Sequence, residues 1–373
     1  MLRGVRTVHA LGVLLVGLVA CAPSRSPTTP AKADPYQLDG IVARVEKVVA
    51  PQIGKGKSVG AIVGIRFAGE TRILPFGETR LGNGTPPDAH TMFEIGSLTK
   101  TFTGLLLADA IESGHVKETD RLDAFRPEWK GQATSDIRLI DLVTHRSGLP
   151  RLPCNLHMSD PKRPYADYSE ADLLGGLADG AFGGKCVLSR HPSDRGAYSN
   201  WGFALLGYVL ADKQKTTYPA LVHRRIAEPL GLHDTTYELS EDQRRRLAQG
   251  YTEKGEESPL WDRKILLGNG ALRSTVTDML DYGEAWRAPE KHPALEKAIR
   301  RASTTQHESE KEHIAYAWMQ TPTGSWWHNG MTGGFASFMK VYKTRPLVVV
   351  VLSSSAREIA CVVAAVEDVK CSD

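Results

Sequence analysis

Strand-like segments lie at both ends of this chain of 373 residues, and helix-like segments lie between them. Near the start, Val59 to Phe67 alternates larger with smaller residues and Thr71 to Phe76 follows after a turn, which predicts two neighbouring strands. Near the end, four short β-rich segments with short connections predict an antiparallel meander, followed by a closing helix. The four segments are Ala315 to Met319, Gly324 to His328, Phe335 to Tyr342 and Leu347 to Leu352, and the helix is Ala356 to Val369. The pattern predicts an α/β (α+β) fold: an antiparallel sheet built from both chain ends, flanked by helices, with an inserted all-α lobe.

We therefore predict a single two-lobed domain over residues 37–373. Its α/β part is expected at about 37–101 and 310–373, and its helical part at about 102–309. A long stretch rich in Gly, Pro and Asp, from Leu149 to Arg195, interrupts the helical pattern. Loops of this length in a compact domain are usually functional or held by a cross-link.

The first residues are predicted to be a targeting segment rather than part of the fold. Two arginines precede a short apolar run, and small residues follow it, so residues 1–20 are interpreted as a signal peptide. Leu18-Val19-Ala20-Cys21 resembles a bacterial lipobox, which implies a lipid on Cys21; ordinary cleavage nearby is the alternative. Residues 21–36, rich in Ser, Thr, Pro and Ala, are expected to form a flexible tether. We expect an exported protein, either a lipoprotein on the periplasmic face of a bacterial membrane or a periplasmic or secreted protein without the lipid.

Four further cysteines indicate disulfides, because an even number of cysteines in an oxidising compartment favours pairing. They are Cys154, Cys186, Cys361 and Cys371. Three pairings are possible, and Cys154–Cys186 with Cys361–Cys371 is favoured because each pair brackets one local segment. No CxxC and no HExxH occurs, so we expect no metal and no other cofactor.

The charge pattern argues against a nucleic-acid partner. The formal net charge is only +3, and no dense stripe of Lys and Arg occurs. The short run Arg244 to Arg246 lies beside Glu241 and Asp242, which is typical of a solvated helix face.

An S-x-x-K pattern at Ser97 and Lys100 is the strongest chemical signal. The pattern alone is weak, since it also occurs at Ser159/Lys162 in an aperiodic loop and at Ser337/Lys340 on a predicted strand. Only Ser97 opens a helical pattern, and residues i and i+3 of a helix are neighbours. A serine needs an adjacent base to act as a nucleophile, and a lysine becomes one when burial or nearby positive charge lowers its pKa. The alternative is that Ser97 is only a helix cap and Lys100 a surface residue.

Two further motifs carry polar groups that suit acyl chemistry. Tyr198-Ser199-Asn200 is the only Y-x-N in the chain; the tyrosine can relay protons and Asn200 can bind a substrate amide. His328-Asn329-Gly330 is the only H-x-G, and its glycine lets a ligand approach a strand edge. For the first motif alone, a structural role as a helix-capping turn with a buried aromatic ring is favoured; for the second, a glycine-rich hairpin is the alternative.

In this order the three motifs resemble the serine β-lactamase and penicillin-binding protein family, in particular its class C β-lactamase and D-alanyl-D-alanine carboxypeptidase branch. Asp141 to Pro150 and Pro229 to Thr236 add secondary resemblances, so the similarity spans most of the chain from about Gln37 onward. The resemblance implies an acyl-enzyme on Ser97, with Lys100 and Tyr198 sharing general acid–base work. It also implies that Asn200, His328 and Gly330 bind substrate, and that the backbone N–H groups of Ser97 and Met331 form the oxyanion hole.

The resemblance departs from its pattern at His328, where β-lactamases usually carry lysine. Neutral histidine lacks the permanent charge that lysine offers to a substrate carboxylate. His328 thus weakens antibiotic hydrolysis as the native role without weakening the acyl-enzyme mechanism. The three motifs and the export signal support the first hypothesis, a serine hydrolase acting on β-lactam or peptidoglycan-derived D-alanyl substrates. His328 supports the second, a carboxylesterase on the same fold. A non-catalytic penicillin- or peptidoglycan-binding protein is the third.

Overall fold

The structure is a computed structural model that describes residues 37–132, 134–177, 197–308 and 313–371. The predicted signal peptide, tether and lipid-bearing Cys21 lie outside the described residues, as does Cys186. Within the described parts of the chain, no helix has the length and apolar character needed to cross a bilayer.

The α-helices follow the chain in this order: α1 (Leu38–Val49), α2 (Thr99–Glu112), α3 (Leu139–Val143), α4 (Glu170–Gly175), α5 (Asn200–Lys213), α6 (Tyr218–Val222), α7 (Glu228–Leu230), α8 (Glu241–Arg245), α9 (Val276–Arg287), α10 (Glu296–Ala302) and α11 (Val362–Glu367). The strands are β1 (Gly60–Phe67), β2 (Glu70–Gly77), β3 (Phe93–Glu94), β4 (Gly250–Tyr251), β5 (Glu257–Ser258), β6 (Arg273–Ser274), β7 (His307–Glu308), β8 (His313–Ile314), β9 (Met319–Gln320), β10 (Trp326–Met331), β11 (Ala336–Val341) and β12 (Leu347–Ser353). Short 3-10 turns lie at Ala50–Gln52, Gly96–Leu98, Leu122–Ala124, Pro127–Trp129 and Pro289–Lys291, and a π-helical turn spans His223–Ala227.

The main sheet joins both ends of the chain, as the sequence predicted. Its strand order is β2-β1-β12-β11-β10-β9-β8-β7, and its neighbouring strands are antiparallel. Strand β1 pairs with β12, with Ala61 opposite Ser353 and Phe67 opposite Leu347. The predicted α/β (α+β) fold, an antiparallel sheet flanked by helices, is therefore confirmed.

Alternation along β1 separates two hydrophobic cores on opposite faces of the sheet. Ile62 belongs to the larger core, and Gly64 on the same face packs closely against Val276 of α9. Val63 and Ile65 point to the other face and join α1 and α11. Fully burying one aliphatic side chain of this size contributes roughly 1.5–3 kcal/mol, so the period-2 pattern fixes the register of the sheet.

Three predicted elements have the wrong bounds. The predicted strand Gly324 to His328 begins and ends later than expected, since β10 spans Trp326–Met331. The predicted strand Ala315 to Met319 is interrupted by a turn, since β8 ends at Ile314 and β9 begins at Met319. The four residues between them are all buried, and the N–H groups of Tyr316 and Ala317 donate to carbonyls of Ala302 and Val143 instead of to a neighbouring strand. A turn whose residues are all buried therefore has a sequence that resembles a buried strand.

The closing helix is also shorter than Ala356 to Val369. It begins only at Val362, after Cys361 at a φ of 64°. The residues before it run along the surface, where the Ala360 N–H donates to the side chain of Gln52. Cys361 forms a disulfide with Cys371, one of the two favoured pairs. Cys154 is also disulfide-bonded, but because Cys186 lies outside the described residues, the pairing of these two stays a prediction.

Candidate active site

Ser97 lies in the 3-10 turn that joins β3 to α2. Gly96 adopts a φ of 50°, and a Cβ on it would lie 2.7 Å from the backbone nitrogen of Met331, so only glycine allows this close approach. The carbonyl of Ile95, on the other side of the turn, accepts a 2.7 Å hydrogen bond from Ser337. The turn is therefore fixed against β10 and β11, with Ser97 partly exposed at its tip.

Lys100 lies one helical turn after Ser97 and is fully buried. Its Nζ is 2.9 Å from Ser97 Oγ, and it donates a hydrogen bond to the carbonyl of Asn269. Burial, followed by the positive charges of Arg263 and Arg151, holds the pKa of Lys100 well below its usual value. A neutral amine that donates to Asn269 keeps its lone pair available to take the proton of Ser97.

Tyr198 covers this pair from the α-helical side. The Lys100 Nζ lies 4.9 Å from the centroid of its ring. Burial raises the pKa of Tyr198 to about 12, and the nearby Ser97 hydroxyl partly opposes this rise. The phenol is thus protonated near neutral pH and can donate a proton within reach of Ser97.

His145 holds Tyr198 in place, a role that sequence reasoning missed. The two rings stack with centroids 4.4 Å apart, and His145 Nδ1 accepts the backbone N–H of Ser199 at 3.0 Å. That bond places the ring proton of the neutral form on Nε2. Burial, then the charge of Lys100, holds the pKa of His145 well below its usual value. The residue lies in the segment Asp141 to Pro150 that the resemblance had marked, but no role had been assigned to it.

Asn269 and Arg263 complete the buried side of the site, and sequence reasoning missed both. Asn269 donates from Nδ2 to the carbonyl of Asn200 at 3.2 Å, and its Oδ1 accepts from Arg263 at 2.6 Å. The guanidinium of Arg263 lies over the rings of Tyr165 and Trp261 at 4.6 and 4.9 Å. No local pattern could have found these residues, because they come from a loop whose position depends on tertiary contacts.

Glu94 ties that loop to the strand that precedes the nucleophile. It is buried, and its Oε1 accepts the N–H of Trp261 at 2.9 Å and lies 3.4 Å from Arg273. Burial, partly opposed by Arg273, raises the pKa of Glu94. The loop carrying Arg263 is thereby held against the element that carries Ser97.

Strand β10 forms the other wall of the site. A Cβ on Gly330 would lie 2.2 Å from the Ile95 carbonyl and 2.7 Å from the Ser97 nitrogen, so the strand passes in direct contact with the nucleophile turn. The Thr332 N–H donates to Phe335 across the hairpin. Alternation along an antiparallel strand then turns the N–H of Met331 away from β11, to the edge on which Ser97 lies. The N–H groups of Ser97 and Met331 thus border one site.

His328 is buried on the same wall as a neutral imidazole. Its Nδ1 lies 2.6 Å from the carbonyl oxygen of Asn329, while its buried Nε2 has no hydrogen-bond partner. Burial and the charge of Lys100 lower the pKa of His328 to about 3. The ring therefore carries no charge at neutral pH and has no charge to offer to an anionic group.

These residues surround one cavity of about 540 Å³. The sequence-predicted residues that line it are Ser97, Tyr198, Asn200, His328, Gly330 and Met331, and Lys100 lies beneath Ser97. Arg151, Trp327 and Glu358 also line it and had not been predicted. In the described part of the chain, no cluster of three or more His, Cys, Asp or Glu side chains could hold a metal ion.

Comparison with known proteins places this geometry in a family. The beta-lactamase family model matches residues 45–367. The chain is 31% identical over 273 residues to the D-alanyl-D-alanine-carboxypeptidase/endopeptidase AmpH of Escherichia coli K12, covering 72% of this chain and 68% of that protein. It is 24% identical over 365 residues to a beta-lactamase of the same organism, covering 86% and 90% of the two chains.

Solved structures show the same fold. A class C beta-lactamase in complex with cefoxitin superimposes with a TM-score of 0.79 at 19% identity, covering 88% of this chain and 99% of that one. The D-alanine carboxypeptidase AmpC of Burkholderia cenocepacia gives 0.75 at 21% identity, covering 89% and 98%. The chain belongs to the beta-lactamase family. Within that family it is a serine hydrolase, as the resemblance implied.

Proposed function

We propose that this protein hydrolyses β-lactams or D-alanyl peptides through an acyl-enzyme on Ser97. The observation that carries the proposal is the 2.9 Å separation between Ser97 Oγ and a fully buried Lys100 amine whose pKa is held well below its usual value. Lys100 takes the hydroxyl proton as the oxygen attacks the carbonyl carbon of the substrate. Tyr198 donates a proton to the leaving group, and the proton on Lys100 replaces it.

We propose that two backbone N–H groups stabilise the negative charge that develops on the carbonyl oxygen. The backbone N–H groups of Ser97 and Met331 border the cavity from two different elements held in contact. Donors fixed before the reaction stabilise such a charge without reorganisation. Asn200, at the start of α5, is the group proposed to orient the acyl amide, since its side chain lines the same cavity.

A carboxylesterase is the second candidate, and His328 favours it. A buried imidazole with a pKa of about 3 supplies no charge for the carboxylate of a β-lactam or a D-alanine. Simple esters do not need such a charge. Rapid turnover of p-nitrophenyl esters without acylation by penicillins selects this candidate over the first.

We further propose export, with lipid attachment at Cys21. The support is the sequence pattern of residues 1–21, and the family to which the chain belongs is compatible with it. Incorporation of radiolabelled palmitate into the full chain, lost in Cys21→Ala, tests the proposal. Equal labelling of both proteins refutes it.

Intact-protein mass spectrometry after mixing with ampicillin tests the main proposal. A Ser97-dependent adduct of the whole antibiotic is expected, persistent for a peptidase and transient with released product for a β-lactamase. Ser97→Ala removes the adduct. Ser159→Ala, which changes the serine of an S-x-x-K pattern in an exposed loop, keeps it. An adduct that survives in Ser97→Ala removes this residue from the mechanism.

A further inference from the structure

The wall of the catalytic cavity that is formed by β10 and the segment after β12 is negatively charged. Among the described residues that line this wall, Glu358 carries the only formal charge. His328, which could have supplied a positive charge, is neutral because burial lowers its pKa to about 3. The wall therefore has no cation with which to bind a carboxylate.

The Glu358 carboxylate is held in place without being neutralised. It is exposed, and its Oε1 accepts a 2.8 Å hydrogen bond from the side chain of Asn329, the residue before Gly330. No described cation lies within ion-pair distance of it. Its neighbour Arg357 points elsewhere and donates to the carbonyls of Gly56 and Glu253. The charge is thus available to a ligand in the cavity.

An aromatic ring lies at the same end of the cavity. Trp327 is two residues before Asn329, so the two side chains share one face of β10, and the Trp327 ring stacks on Phe338 with centroids 6.2 Å apart. Trp327 and Glu358 both line the catalytic cavity, and both also line a neighbouring cavity of about 520 Å³. An aromatic face beside a carboxylate is the combination that recognises ammonium groups. A neutral or anionic substituent gains neither attraction.

The opposite wall carries positive charge. Arg151 is exposed, lies over the Tyr198 ring at 5.0 Å, and has no described anion in ion-pair contact. Arg263 also lines the cavity, but it is buried over the rings of Tyr165 and Trp261. The residues that line the cavity therefore include two arginines and, on the strand wall, one carboxylate.

We propose that Glu358 and Trp327 form a subsite for an ammonium group of the acyl substrate, and that Glu358 disfavours a carboxylate at this position. The inference rests on the proposed acylation of Ser97 and names the substrate class of that reaction. The preferred substrates are esters or amides that carry an amine or quaternary ammonium near the scissile bond, with any anionic group directed toward Arg151.

A series of matched esters tests the subsite. Each ester carries a trimethylammonium group, its uncharged tert-butyl isostere or a carboxylate, placed in one set on the acyl group and in a second set on the leaving alcohol. Hydrolysis is followed by pH-stat titration at low ionic strength. In at least one set, kcat/KM should be about fivefold higher for the cation than for the isostere, and about fivefold lower for the carboxylate. Added salt should reduce both ratios.

Three variants separate the charge from the scaffold. Glu358→Gln keeps an oxygen that can accept from Asn329, so it should remove the charge preference and leave turnover of the neutral ester unchanged. Trp327→Leu should reduce only the preference for the cation. Glu46→Gln, at an exposed position on α1, should retain the full preference.

Two results overturn the subsite: a wild-type enzyme that treats all three esters equally in both sets, or a preference that survives in Glu358→Gln. If instead the proposed acylation of Ser97 is wrong, Ser97→Ala will retain turnover of the neutral ester, a result that is distinct from the two above.

Discussion

The two walls of the cavity differ in their exposure to solvent. The proton-transfer wall, made of Lys100, Tyr198, His145, Asn269 and Arg263, is buried except for the partly exposed Tyr198, and burial shifts the pKa values of its residues. The strand wall, made of Trp327 to Met331 with Glu358, offers backbone groups, a neutral histidine and one exposed carboxylate. We therefore expect reactivity to depend on burial, and the choice of substrate to depend on the solvent-exposed edge of the strand wall. Substitutions on the first wall should abolish turnover, and those on the second should redirect it.

Loss of the buried amine should have the largest effect. Lys100→Gln is expected to lower kcat/KM by roughly 10³-fold or more, because no other described base contacts Ser97. Initial rates with a p-nitrophenyl ester measure this. Lys162→Gln, the exposed lysine of another S-x-x-K pattern, should retain full activity. A Lys100→Gln enzyme that keeps a tenth of its activity would place proton transfer elsewhere.

Removal of one oxygen on the same wall should have the next largest effect. Tyr198→Phe keeps the ring that stacks on His145 and loses only the hydroxyl, so kcat should fall by roughly 10²- to 10⁴-fold while the fold persists. Steady-state kinetics and thermal unfolding, measured together, separate the two quantities. Turnover within threefold of the wild type would reduce Tyr198 to a packing residue.

The charge that tunes Lys100 should be visible in a pH–rate profile. Arg263 lowers the pKa of Lys100, so Arg263→Gln should raise that pKa and move the acid limb of the profile to higher pH. Activity should then fall at neutral pH and recover in alkaline buffer. Arg151→Gln should move the acid limb in the same direction by a smaller amount, because the charge of Arg151 lowers the pKa of Lys100 less than the charge of Arg263 does. An unmoved limb in both variants would leave burial as the sole cause.

The smallest effect on turnover is expected at the end of the chain. Replacing Cys361 and Cys371 with serine removes a short cross-link, which should lower the free energy of unfolding by about 2–3 kcal/mol. Turnover of a neutral ester should change by less than about threefold. Guanidinium unfolding and initial rates measure the two effects. A large loss of turnover in a variant that still folds would show that the geometry of the strand wall depends on the Cys361–Cys371 disulfide.

Sequence reasoning succeeded where the determinants are local. The proximity of Ser97 and Lys100 could be predicted because residues three apart at the start of a helix are neighbours whatever surrounds them. Strands β1, β2, β11 and β12 could be predicted from their β-rich, alternating sequences. Lys100 was expected to need burial, and α2 supplies it because nearly every residue from Thr99 to Ala110 is inaccessible. The amphipathic stripe of an ordinary surface helix would not have done so.

The remaining parts depend on tertiary structure. Asn269 and Arg263 reach the site from a loop with no periodicity, and His145 acts through the ring of a residue more than fifty positions away. The turn at residues 315–318 was mistaken for a strand because small and aromatic residues alternate along it, although all four are buried. The pattern of a single sequence predicts which residues are buried, but it does not predict which distant residues pack against them.

Strand β12 lies between β1 and β11, and this order has a consequence for biosynthesis. The first hairpin cannot dock onto the meander until residues 347–353 emerge and bridge the two. A polypeptide that ends before residue 347 thus lacks the strand that joins the first hairpin to the rest of the sheet. The pairing of β1 with β12 brings together residues that are far apart in the chain, and such long-range closure is slow, so we expect the complete sheet to form late in folding.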